Sequence, residues 1–166
     1  MSETLVRTLD QTRTERVIRE ANSLTNGYSA PPIPVREIAE NAGVDVIFSS
    51  FGGASERVAG FCDFEARRLY VNSNDIITRQ KFTMAHELGH WILHREFFES
   101  HPAEYRVLPR FHKPVSNHFE READIFAANL LAPAALLRPV RELGAAALSS
   151  IFGVSRTMME LRLKEI

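Results

Sequence analysis

Phe82-Thr83-Met84-Ala85-His86-Glu87-Leu88-Gly89-His90-Trp91-Ile92-Leu93 is the stretch whose reading decides the fold. Phe82, Ala85, Gly89, Ile92 and Leu93 recur at helical spacing to one side of two histidines, and no proline interrupts the run. Histidines four apart on a helix sit roughly 40° from each other and about one turn apart along the axis, so His86 and His90 can reach one metal ion. Zinc held by two imidazoles and a third protein ligand keeps a position for water, as in catalytic rather than structural sites. Glu87, between the two histidines, can accept a proton from that water. The competing reading is a pair of histidines that merely cap or pack a core.

A third ligand is therefore required. The extended motif with a downstream glycine and third histidine is excluded, because Leu93 and Glu96 occupy those places. His94 lies about 12 Å from His86 along a straight helix, too far to share the ion, and reads as a surface residue or as a support for a ligand. Residues 118–131 supply a better candidate. At about 100° per residue, Phe119, Ala123, Phe126, Ala127, Leu130 and Leu131 fill one arc of a second helix, and Glu120 falls inside it. Glu122 falls outside, near Asn129. A carboxylate on an apolar face is costly unless it is paired or binds a metal, so the pattern favours ligation by Glu120. Asn117 and Glu120 also fit a helix-capping pair. Asp124, one turn on, is placed to accept the second N–H of His86 or His90 and fix its tautomer, or else to lie on a solvated face.

These residues carry a resemblance to the ImmA/IrrE family of zinc metallopeptidases, running from roughly Ala21 to the C-terminus. It comprises Pro31-Pro32-Ile33-Pro34-Val35 leading into Ile38-Ala39, then Val58-Ala59-Gly60 and Leu69-Tyr70-Val71-Asn72, the stretch Phe82 to His94, and Glu120 to Pro133. The resemblance implies that His86, His90 and Glu120 bind zinc and that Glu87 is the general base. It also implies a protein substrate, a helix-turn-helix repressor or antitoxin cleaved in a stress or mobile-element response. Ala132 departs from the methionine usual in the family before the proline. A two-imidazole, one-carboxylate set also admits manganese, iron or cobalt. The alternative function is a non-catalytic regulator, stabilised by its metal and acting by protein or DNA binding.

The rest of the chain predicts an α+β fold: a zincin-like helical domain with a small three-stranded antiparallel sheet and a C-terminal pair resembling a helix-turn-helix. Helices are expected over Thr12–Leu24 and over Val35–Asn41, the latter after a proline-rich link and ended by Gly43. Strands are expected over Val44–Phe51, Val58–Phe64 and Arg68–Asn72. In the zincin layout an edge strand of such a sheet pairs with extended substrate. Pro102, Pro109 and Pro114 make the stretch from His94 to His118 read as a long loop, a lid or binding element in which Tyr105, His112 or His118 could stabilise an oxyanion.

At 166 residues and 45% hydrophobic content, the chain suits one domain, with a catalytic core over 12–135 and a helical element over 136–166 packed on it. The single Cys62, the charged stretch Met1–Glu20 and the lack of an apolar run near the ~20 residues of a membrane span predict a cytoplasmic protein that does not enter membranes. Arg138 to Ile166 holds Arg138, Arg141, Arg156, Arg162 and Lys164 against Glu142, Glu160 and Glu165, and the net charge is −1. With no basic stripe, direct nucleic-acid binding is not expected.

Overall fold

The structure, a computed structural model, describes residues 3–101, 107–111 and 117–166. Its centre is the long helix α3 (Ile77–Glu99), in which every residue from Thr83 to Trp91 is buried. A helix covered on all sides needs partners on all sides. A sheet packs on one side of α3 and α4 (His118–Leu131) on another, while α2 (Val35–Asn41) abuts it, with the Trp91 indole N–H donating to the Ala42 carbonyl at 3.0 Å. α1 (Glu3–Thr25) packs along α4.

The sheet contains β1 (Asp45–Ser49), β2 (Val58–Asp63), β3 (Arg68–Asn72) and β4 (Val107–Phe111), in the order β1-β3-β2-β4. The expectation of three antiparallel strands is corrected in two respects. First, β1 runs parallel to β3, whereas β2 is antiparallel to both β3 and β4, so the sheet is mixed. The physical reason is the connection from β1 to β2, which is long enough to pass over the place that β3 later fills. Asn72 at the end of β3 holds that connection down, its side-chain amide donating to the carbonyls of Ser55 at 2.7 Å and Val58 at 3.0 Å. β2 then turns back tightly into β3, where the Asp63 side chain accepts from the Ala66 N–H at 2.9 Å and Arg67 takes a positive φ of 55°.

Second, the stretch expected to be loop contains β4. Pro109 lies opposite Phe61 in the register, on an edge strand, where a missing N–H can face away from the sheet. Gly60 of β2 is where sheet and helix come closest: a Cβ there would lie 2.4 Å from the Tyr70 carbonyl oxygen and 2.5 Å from Thr83 Cγ2.

Beyond α4, a short α5 (Ala134–Leu137) and a 3-10 turn lead into α6 (Gly144–Phe152) and α7 (Arg156–Glu165). Gly153, at φ 68°, reverses the chain between them, and the Ser155 hydroxyl caps α7 by accepting from the Met158 N–H. The pair is docked on the core through Leu148, Phe152 and Met159. Buried Arg162 donates to the Ala132 carbonyl and the Asn129 side chain at the end of α4, and to Glu165. No single helix among the described residues is long and apolar enough to cross a membrane.

Candidate metal centre

The centre is built where α3 and α4 pass at Gly89. A Cβ on Gly89 would meet Phe126 Cδ1 at 3.1 Å and Ala123 Cα at 3.3 Å, so only the absent side chain lets the helices approach so closely. This brings Glu120, one turn before Ala123, over the histidines of α3.

His86 Nε2 and Glu120 Oε2 are 3.1 Å apart, His90 Nε2 and Glu120 Oε1 are 3.1 Å apart, and the two Nε2 atoms are also 3.1 Å from each other. These donor atoms all lie within 4.8 Å of one another. Tetrahedral coordination at zinc–ligand distances of about 2.0–2.1 Å places neighbouring donors about 3.3 Å apart, so the separations suit one small cation. Glu120 therefore faces inward, as its place in the helical arc predicts. Capping of α4 falls to Asn117, whose side chain accepts from the Glu120 N–H at 2.9 Å, leaving the Glu120 carboxylate for the histidines.

The protonation states favour a cation. Burial, with the like charge of His86 and His94, outweighs the pull of Glu120 and pushes His90 down to about 3, so it is neutral at pH 7. Burial raises the cost of ionising Glu120, but its hydrogen bonds to His86 and His90 prevail and hold its carboxyl well below the usual range. On His86, Nδ1 is 2.8 Å from Asp124 Oδ1, so its ring N–H can donate to that carboxylate once a cation replaces the Nε2 proton that otherwise bonds Glu120. Two imidazole Nε2 atoms and a carboxylate converging in a buried site form a donor set that would suit a divalent ion.

Glu87, which follows His86 on α3, is fully buried, and its charge is felt at Cys62 of β2, whose thiol is pushed up first by burial and then by Glu87 and Asp63. The remaining candidates fare differently. His118 is exposed at the start of α4, and Tyr105 and His112 lie outside the described residues. His94 is not on the surface. It is 4% exposed, with Nδ1 3.0 Å from His90 Nδ1 and Nε2 2.7 Å from Glu122 Oε2. Sequence reasoning weighed His94 by its distance from His86 along one helix, whereas α4 lies alongside and supplies its partner. The signal was present in the third histidine of the i, i+4, i+8 stripe.

A structure from Mycobacterium tuberculosis described as a transcriptional regulator shares the fold, with TM-score 0.58 at 14% sequence identity. The match covers 87% of this chain and 45% of that one, so the chain spans a little under half the length of that relative. No curated protein matches the sequence. The peptidase M78 family model, described as the IrrE N-terminal-like domain, matches residues 39–164, from α2 through the sheet and both site helices to the end of α7. The chain belongs to this metallopeptidase family.

Proposed function

We propose that the protein is a zinc-dependent endopeptidase that cleaves a regulatory protein in the cytoplasm, a helix-turn-helix repressor or an antitoxin. The observation that carries this reading is the convergence of His86, His90 and Glu120, with the buried Glu87 following His86 in the chain. A divalent ion held by those three residues would supply Lewis acidity for polarising a carbonyl and acidifying a water. Glu87 accepts the proton of the attacking water and delivers it to the leaving amine. Asp124, 2.8 Å from His86 Nδ1, would accept the ring N–H there and leave Nε2 to hold the ion. Glu120 is 17% exposed, and this side of the site is where an extended substrate chain gains access. The proposed substrate class rests on the resemblance to the ImmA/IrrE family.

The test is Glu87→Gln, assayed with a candidate helix-turn-helix repressor as substrate and with zinc content measured in parallel. The expected result is unchanged zinc stoichiometry and loss of cleavage. Retention of the biological effect by this variant would instead identify a regulator that works by binding.

A further inference from the structure

The two histidines of the centre are held in different ways. His86 has a carboxylate directly on Nδ1, from Asp124, whose side chain is 48% exposed. Among the described residues no carboxylate bonds His90 Nδ1; it meets a third imidazole, His94, which in turn meets Glu122. We propose that His94 and Glu122 are positioning residues, forming a directional hydrogen-bond chain that fixes the tautomer and ring angle of His90 for metal binding.

The direction of the chain follows from its ends. His90 Nε2 faces His86 and Glu120, and a nitrogen that binds a cation carries no proton, so the ring proton of neutral His90 sits on Nδ1. That N–H donates across 3.0 Å to His94 Nδ1, which must then be a bare acceptor. The proton of His94 is thereby confined to Nε2, where it donates across 2.7 Å to the Glu122 carboxylate. Each nitrogen has one permitted role, and no alternative tautomer satisfies both bonds.

The geometry around His94 supports a fixed role. Its ring packs edge-on against Phe119 at 5.0 Å and Phe98 at 6.0 Å between centroids, and it is 4% exposed, so water does not compete for Nδ1. Groups that orient a metal-binding histidine typically contribute ten- to a hundredfold in metal affinity. The support of His86 comes from a half-exposed side chain and that of His90 from a buried one, which makes the His94 arm the more consequential of the two.

The inference rests on the metal-centre reading, and its test is a zinc titration against a competing chelator on the full chain, with no substrate needed. His94→Phe keeps the ring packing and removes both nitrogens; zinc affinity is expected to fall about ten- to a hundredfold while the zinc-free thermal midpoint holds. His94→Gln restores an acceptor and a donor and is expected to recover most of that loss. Glu122→Ala, which leaves the His94 ring in place, is expected to weaken zinc binding and to add nothing in the H94F background. It carries the test if H94F does not fold. Long-range 15N spectra of the zinc-loaded protein should show His90 protonated on Nδ1 and His94 on Nε2. Unchanged affinity in folded H94F or in E122A, additive losses, or the opposite tautomers would overturn the relay alone. Wild-type protein that binds no zinc would overturn the metal centre along with it.

Discussion

Gly89→Ala separates the stability of the fold from the precision of the metal centre. Gly89 is buried in the middle of α3, where alanine is favoured over glycine by about 1 kcal/mol on helix propensity alone. Against that gain, the new methyl would sit 3.1 Å from Phe126 Cδ1, 3.3 Å from Phe126 Cβ and 3.3 Å from Ala123 Cα, whereas carbon atoms pack at about 3.5–4.0 Å. Phe126 is fully buried, and Ala123 Cα is backbone, so the overlap is relieved only by moving α4 outward by a few tenths of an ångström. Overpacking of this kind costs about 1–3 kcal/mol, leaving a net destabilisation on the order of 1 kcal/mol in zinc-free protein. The effect on the centre is larger, because metal–donor distances tolerate only about 0.2 Å and Glu120 moves with α4. Zinc affinity should fall about tenfold or more, equivalent to about 1.4 kcal/mol. Urea unfolding in the presence of chelator measures the first quantity and competitive zinc titration the second. Undiminished zinc affinity in folded G89A would refute the argument that close approach at Gly89 sets the ligand geometry.

Other perturbations have equally definite outcomes. Gly60→Ala drives a methyl into the Tyr70 carbonyl and Thr83 and should lower the urea midpoint by an amount corresponding to about 2–3 kcal/mol. Arg162→Ala leaves the Ala132 carbonyl and the Asn129 side chain without their buried donor and should cost about 2–3 kcal/mol, with faster amide exchange in α7. In zinc-free protein the folded-state pKa of His90 lies at about 3, below its unfolded value, so the unfolded chain binds the extra proton and stability is lost as pH falls from about 6.5 toward 3. From His90 alone the loss at pH 5 is about 2 kcal/mol, and chemical denaturation across that range checks it.

Legibility in the sequence followed the physics of each element. α3 and α4 could be read because period-3.6 patterning marks a buried face, and the same arc placed Glu120 inward. The helix ends could not: α3 begins at Ile77 and α1 at Glu3, and neither Ile76 nor Ile77, both well exposed, follows the buried pattern. The existence of β1, β2 and β3 was carried by their β-branched and aromatic residues. Their order was not, because it depends on Asn72 reaching back to Ser55 and Val58, contacts that no local pattern records. β4 was hidden by Pro109, which argues against a strand only where both edges are paired. In the site, His94 and Glu122 were read on separate helices, and the pairing between them exists only once α3 and α4 are laid side by side.

X-ray absorption at the zinc edge of the reconstituted protein, compared with Glu120→Gln, tests the central claim most directly. The account predicts one zinc per chain, bound by two imidazole nitrogens at about 2.0–2.1 Å with the remaining donors oxygen at about 2.0–2.2 Å, and a weakened, altered signal in E120Q. A spectrum unchanged by E120Q, or one showing sulfur or three imidazoles around the metal, would contradict it.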